Sequence, residues 1–537
     1  MLVVGSGFGG SVAALRATEK GYRVGVLEAG RRWEPEDFPA TNWNLRRFLW
    51  APRLGCHGIQ RLTLLGDVLV LSGAGVGGGS LVYANVLHEP LEGFWRTGGW
   101  SGITSWRDEL APYYELARRM LGTAQTPFES KVEPLMREVA ARLGAEETFQ
   151  PTEVGVWFGE PGQEVPDPYF GGAGTLRRGC IRCGGCIVGC RFHAKNTLDR
   201  NYLWLAERGG AEVLPERTVV DLRRLNRGWE VEAEMPRGRE TFLAPELVLA
   251  AGTLGTLRLL LEARERGRLP GLSPRLGELV RTNSEAIVGA AAVEPDPEYA
   301  LGIAIGSEFR PELDTHVQPV RYPRGSNLMG LLGTVLVDGG PGIPRQLRFL
   351  GRAARRPLVF LRSLSVRRWS ERTVILLVMQ SRDNSLRVGL AKRRVGHGFR
   401  LASRRGAGEP NPTFLPLANR VARETARLLG GYPGSSLNEV LLDVPTTAHI
   451  LGGAAIGAGP AEGVVDPYLR VHGCPGLHVL DGAAVSANPG ANPALTIAAQ
   501  AERALALWPN RGDEDPRPRL GGPYEPLEPV PARAPAF

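Results

Sequence analysis

The chain has 537 residues, 43% of them hydrophobic, a formal net charge of +8 and a pI of about 9.3. That length exceeds what one hydrophobic core supports and predicts two or more domains. No Lys/Arg block is interleaved with aromatics as on a nucleic-acid surface, no apolar run approaches the roughly 20 residues of a membrane-spanning helix, and the N-terminus offers no leader, so a cytoplasmic protein is expected.

The first thirty residues carry the most information. A short apolar strand, Leu2–Val4, runs into Gly5-x-Gly7-x-x-Gly10. A helical stretch follows, then a second apolar run, Tyr22–Leu27, ending in Glu28, which stands 18 residues after Gly10. Strand, glycine turn, helix, strand and acid in this order make a dinucleotide-binding βαβ unit. Gly5 permits the tight turn, Gly7 lets the backbone approach a pyrophosphate, and Gly10 lets helix and strand pack closely. Glu28 stands where a carboxylate accepts hydrogen bonds from a ribose.

A second glycine-rich block covers Ser72–Asn85, with five glycines between 73 and 80. It is neither regular helix nor strand. It reads as backbone laid against a flat or charged cofactor, or as a linker, and Leu81-Val82-Tyr83 is not linker composition. Residues 107–144 read as helical, with apolar positions at Leu110, Tyr113, Tyr114 and Ala117. Residues 151–175 are Pro/Gly-rich loop.

Next comes Cys180-x2-Cys183-x2-Cys186-x3-Cys190, the spacing of a bacterial iron–sulfur run. Such clustering is not a secreted disulfide framework. A [4Fe–4S] cluster, a zinc site and a buried cysteine-rich turn all remain open, with Cys56 or Cys474 as candidate remote ligands. Residues 211–250 alternate as β-hairpins, and Leu247–Ala250 leads through Ala251-Gly252 into a helix, a second strand–glycine–helix turn.

Residues 286–440 change character. Strands Ala286–Val293 and Thr373–Met379 and a helix Leu415–Leu429 suggest an antiparallel sheet with helices, forming a substrate domain. Within it, Arg345–Arg372 holds nine Arg and one Glu among Leu, Phe and Trp. It reads as a solvated helix pair or as a basic amphipathic surface for anionic lipid. Cofactor-type sequence returns at Val471–Gly482 and Asn488–Thr496, and a helix Ile497–Leu507 follows. Residues 511–537 hold seven Pro and read as an extended or disordered tail. The expected fold is α/β. A Rossmann-like three-layer domain is drawn from 1–95, 176–285 and 441–510. An α+β substrate domain with a mainly antiparallel sheet, and its connecting segments, come from 96–175 and 286–440.

Five blocks together resemble the glucose–methanol–choline (GMC) flavoprotein oxidoreductases, most of all their actinobacterial sterol oxidase-like members. They are Val4–Gly10, Gly77-Gly78-Gly79-Ser80-Leu81-Val82, Thr447-Ala448-His449-Ile450-Leu451-Gly452-Gly453, Leu480-Asp481-Gly482 and Gly490-Ala491-Asn492-Pro493. The resemblance covers residues 1–510. It implies FAD and oxidation of a hydrophobic secondary alcohol, a 3β-hydroxysteroid such as cholesterol, by hydride transfer to flavin with O2 as acceptor. It places the active-site histidine at His449 and the flavin-side asparagine at Asn492. Asp481 and Gly482 would contact the ribityl–pyrophosphate region, and Gly77–Ser80 would lie along the flavin. Asn85, Val219, Ala251, Gly252 and Pro493 complete the cofactor set. Gln318 stands where sterol oxidases carry a Glu that moves a proton during double-bond isomerisation, which counts against that second activity.

Taken as chemistry, a neutral imidazole near pH 7 can accept the hydroxyl proton as hydride leaves the carbinol carbon. A loop histidine with a structural hydrogen bond is the alternative for His449, and a helix N-cap is the alternative for Asn492. Two other functions are consistent with the motifs: a dehydrogenase passing electrons to an iron–sulfur cluster or external acceptor, and a non-catalytic flavin/iron–sulfur carrier. The carrier needs neither His449 nor Asn492.

Overall fold

The computed structural model describes residues 1–393 and 398–537. Its nucleotide-type half is built on a five-stranded parallel sheet. The order is Glu212–Leu214, Gly25–Leu27, Leu2–Val4, Leu247–Leu249 and Leu477–Val479. Each strand is only three residues long, and Leu2–Val4 and Leu247–Leu249 are wholly buried aliphatic residues, as a sheet covered on both faces requires. The helix Phe8–Glu19 packs with Ala494–Ala506 and Tyr202–Arg208 into this core.

Residues 211–250 differ from the expected run of hairpins. Glu212–Leu214 and Leu247–Leu249 are parallel strands of the central sheet. The antiparallel part is a three-stranded meander, Thr218–Arg224, Trp229–Met235 and Gly238–Ala244. Apolar alternation is the same in both kinds of strand, so it does not reveal the pairing partner. The helical stretch 107–144 is two helices, Trp106–Met120 and Val132–Arg142. The chain breaks between them near Gly122, which has φ +59°. The first helix buries Trp106, Leu110, Tyr114 and Ala117 in the nucleotide-type core rather than in the substrate half.

The second half holds a seven-stranded sheet. Its order is Gly333–Val335, Tyr432–Ser436, Ala286–Ala291, Thr373–Gln380, Thr315–Val320, Ser307–Glu312 and Gln150–Pro151, every pair antiparallel. The helices Pro416–Leu428 and Val132–Arg142 cover it through Val421, Ala422, Met136 and Val139. Val317 and Phe309 face those helices, so Gln318 and Glu308 face the other way.

The tail 511–537 has no helix or strand, and it is laid on the nucleotide-type half. The Lys20 ammonium donates to the carbonyls of Ala506, Trp508 and Val530. Ala534 N–H donates to the Glu19 carbonyl, and the Phe537 ring lies 5.1 Å from Phe170. Proline keeps the tail extended, and these contacts order it. Among the described residues, no helix is long and apolar enough to cross a membrane.

Candidate active site

The first glycine turn is shaped by what cannot fit. A Cβ on Gly10 would stand 2.0 Å from the Gly5 carbonyl oxygen, and one on Gly5 would stand 2.2 Å from that of Ala250. A Cβ on Gly7, by contrast, meets nothing within 4 Å. Gly7 caps the helix Phe8–Glu19 with no side-chain hydrogen bond, so the helix's first N–H groups are left without a side-chain partner. That is an anion site in waiting. Gly78 crosses directly over it, since a Cβ there would touch Gly7 Cα at 2.6 Å. The second turn, at Gly252, also opens into free space and starts the helix Thr253–Glu265 without a side-chain cap.

Glu28 is buried, and its carboxylate accepts from Ser6 N–H (3.1 Å), Ser6 Oγ (2.7 Å), Gly30 N–H (2.9 Å) and Gly75 N–H (3.3 Å). It therefore ties the two glycine blocks together, and any ribose hydroxyl shares these oxygens with the protein. Asp481 has a similar brace: it accepts from Thr256 Oγ1 (2.5 Å) and Ala483 N–H (2.8 Å). Burial pushes its carboxyl up to about 6, against the hydrogen bonds that pull it down. Ser80 donates to the Gly77 carbonyl and accepts from Leu198 N–H.

His449 lies on a loop stapled to these turns. Thr253 Oγ1 donates to the Ile450 carbonyl (2.7 Å), Gly452 N–H donates to Gly482 O (2.8 Å), and Leu451 pairs with Arg281 on both sides. The imidazole is 10% exposed. Its Nδ1 lies 2.9 Å from Oε2 of Glu285, whose side chain is fully buried. Its Nε2 lies 3.3 Å from Asn492 Nδ2. A carboxylate at Nδ1 and an amide donor at Nε2 both require the same tautomer: hydrogen on Nδ1, a lone pair on Nε2.

Asn492 does not cap the following helix. That role falls to Pro493, with no side-chain bond, and Asn492 Oδ1 is buried without a partner.

Sequence reasoning missed the strap that aligns this pair, Thr282–Glu285. Asn283 (φ +60°) and Ser284 (φ +45°) turn the chain there. The Thr282 carbonyl accepts from Thr447 Oγ1, which in turn accepts from His449 N–H. Glu285 Oε1 accepts from Ala448 N–H. Asn283 accepts from Gly490 N–H and donates to the Ala491 carbonyl, fixing Asn492. A polar quartet with Asn at its centre, standing just before an apolar strand, was the available signal.

A GMC oxidoreductase family model matches residues 402–501. The chain is 54% identical to a cholesterol oxidase of Mycobacterium tuberculosis over 99% of its own length and 94% of that protein. It is 39% identical to a cholesterol oxidase of Acinetobacter baumannii, covering 95% of this chain and 94% of the relative. The chain belongs to the GMC oxidoreductase family. It is an FAD-dependent oxidoreductase acting on CH–OH donors. The fold agrees with solved structures, among them pyridoxine 4-oxidase from Mesorbium loti, at TM-score 0.59 and 16% identity over 94% of this chain and 98% of that one.

The cradle of this GMC oxidoreductase fits FAD. Open space at Gly7 and an uncapped helix N-terminus suit a pyrophosphate, and Gly77–Ser80 lies across them. Val219 sits on the meander strand Thr218–Arg224, opposite Ala233. Asn85 is buried with φ +72° and stands beside the thiol of Cys186.

The four clustered cysteines are free thiols lining one cavity. Among the described residues, no three His, Cys, Asp or Glu side chains converge as ligands of a single metal ion. Burial pushes the Cys180 and Cys183 thiols up to about 12 and about 11, their neighbours' charges adding to the effect. Gln318 is buried and donates to Glu308 (3.0 Å), which also lies 2.6 Å from His88 Nε2. Burial pushes the Glu308 carboxyl up, but His88 and His316 outweigh it and hold it well below the usual carboxylate range.

Proposed function

We propose that this oxidoreductase oxidises the 3β-hydroxyl of a steroid such as cholesterol to the ketone, with O2 as electron acceptor. The reading rests on the Glu285–His449–Asn492 arrangement beside the FAD cradle, together with near full-length similarity to proteins named cholesterol oxidase. Segments 1–95, 176–285 and 441–510 hold FAD, with the helix Trp106–Met120 added to them, and 286–440 covers the substrate.

Bound FAD supplies the hydride acceptor. The substrate hydroxyl sits between His449 Nε2 and the Asn492 amide, donating to the first and accepting from the second. As the C–H bond breaks and hydride departs, the O–H proton moves to Nε2 and the carbonyl forms. Glu285 stabilises the resulting imidazolium and holds the ring in register, as a carboxylate does for histidine bases elsewhere. Asn492 Nδ2 stabilises the developing charge on oxygen. Anaerobic mixing with a 3β-hydroxysteroid tests this. Stoichiometric flavin reduction and one ketone per flavin are expected, and no reduction by any 3β-hydroxysteroid would contradict it.

The enzyme also docks on lipid in this reading. The helices Arg345–Arg355 and Pro357–Ser363 leave Leu347, Leu350, Leu358 and Leu361 between 57% and 72% exposed, beside exposed Arg355, Arg356 and Arg362. Apolar side chains ringed by Arg suit the headgroup boundary of an anionic bilayer, where a sterol resides. Co-sedimentation with anionic vesicles is expected to fall when Leu358 and Leu361 are changed to Asp. Unchanged binding would remove this contact.

A further inference from the structure

The active site uses none of the four clustered cysteines, yet the chain spends much of its local structure on them. Left-handed backbone at Arg182 (φ +58°), Gly184 (φ +69°), Gly189 (φ +97°) and His193 (φ +53°) winds the segment so that all four thiols line the same cavity. A clamp fixes the turn: Gly184 N–H donates to Gly302 O (2.8 Å), and Gly302 N–H donates to Arg182 O (2.7 Å). A Cβ on Gly184 would stand 2.3 Å from the Ala300 carbonyl oxygen.

Three thiols receive backbone N–H groups. Arg182 donates to Cys180 Sγ at 3.5 Å, Gly185 to Cys183 and Ala304 to Cys186. Donors of this kind tune cluster sulfurs. Asn85, fully buried beside Cys186, aims its amide at that thiol, and its Oδ1 has no partner. An unpaired buried amide oxygen costs free energy unless a partner fills the space it faces. Lys195 is a second anomaly. Its ammonium is 2% exposed and donates to the carbonyls of Leu81, Tyr83 and Cys186, with no carboxylate in ion-pair range among the described residues. A buried cation without a counter-ion is costly, and an anionic group in the adjoining cavity would offset it.

We propose that Cys180, Cys183, Cys186 and Cys190 ligate a [4Fe–4S] cluster in this cavity. The run Cys-x2-Cys-x2-Cys-x3-Cys matches cluster spacing, but in two-cluster ferredoxins its fourth cysteine serves the other cluster. Here the fourth thiol lines the same cavity as the first three. Cys56 lies in a surface hairpin and Cys474 in the nucleotide-type core, and neither reaches the cavity. All four thiols line that one cavity, whereas a single zinc needs its four sulfurs about 3.8 Å apart for a 2.3 Å bond, and among the described residues no three ligands are gathered for one ion.

The cavity also neighbours the flavin-side loop, because Lys195 joins the Cys186 carbonyl to those of Leu81 and Tyr83, just past Gly77–Ser80. This role rests on the flavoenzyme reading; the ligand set does not. When loaded, such a cluster would supply a one-electron route from reduced flavin to an external one-electron acceptor, beside direct reoxidation by O2.

The test is anaerobic purification with iron, zinc, acid-labile sulfide and flavin measured per chain. About four iron and four sulfide are expected beside one FAD, with a dithionite-reduced EPR signal. Cys183→Ser and Cys186→Ser should lose iron but keep FAD and its reduction by substrate, while Cys56→Ser keeps both. If the variants fail to fold, the wild-type iron and sulfide content decides. Flavin-loaded protein that holds no iron and takes up none on reconstitution with iron and sulfide, or that holds one zinc per chain, would overturn the proposal.

Discussion

The first glycine turn and the histidine loop are both short and glycine-rich, and they are built by opposite means. In the turn, position is set by steric exclusion between neighbours: Gly10 against Gly5, Gly5 against Ala250, Gly78 over Gly7. In the histidine loop, position is set by hydrogen bonds from a strap more than 160 residues earlier, with Glu285 reaching both His449 Nδ1 and Ala448 N–H. The turn binds by leaving space, and the loop acts by holding a tautomer. Damage to the first should remove the cofactor or the fold, and damage to the second should leave both and slow the chemistry.

The largest effect separates two glycines of one motif. Gly10→Val drives a branched side chain into the Gly5 carbonyl, and a loss of stability above about 4 kcal/mol is expected, read as absence of soluble, cooperatively unfolding protein. Gly7→Val points into free space, so this variant should fold and purify without flavin. Full flavin content in Gly7→Val would break the comparison.

Glu285→Gln sharpens it from the other side. The amide keeps a hydrogen-bonding group near Ala448 but no longer stabilises an imidazolium. Flavin content should be normal, reduction by substrate slower by roughly 10²- to 10⁴-fold, and the pH profile of reduction displaced. A slower rate with an unmoved profile would assign Glu285 a packing role only.

A smaller effect concerns the brace between the two regions. Asp481 titrates at about 6 when folded, against an ordinary value near 3.9. Between about pH 4 and 6 the folded protein keeps a proton that the unfolded chain has lost, so this group's contribution to stability falls as pH rises through that window. Asp481→Asn lacks the titration. The variant's stability relative to wild type should therefore rise by on the order of 2–3 kcal/mol from pH 4 to 7 and then level. Denaturation of the holoprotein across that range measures it, and a pH-independent difference would refute the assignment.

The same contrast explains what could be read before folding. Gly5, Gly7, Gly10 and Gly252 announce themselves because a glycine's constraint is local, and the strand–glycine–helix order surrounds each. The parallel partner of Leu247–Leu249 was not legible, since pairing with Leu477–Val479 is a tertiary choice that apolar alternation does not encode. Glu285 was missed for the same reason: a carboxylate before a strand looks like any other until the chain brings His449 to it. The proline-rich tail misleads in a related way, because its order comes from Lys20 and Phe170 rather than from its own propensity.

The most direct test of the account is anaerobic stopped-flow reduction of His449→Ala by a 3β-hydroxysteroid. The account predicts normal flavin content and reduction slowed by roughly two to four orders of magnitude, the range for losing a general base. Reduction within tenfold of wild type, at equal flavin loading, would contradict it and remove His449 from the chemistry.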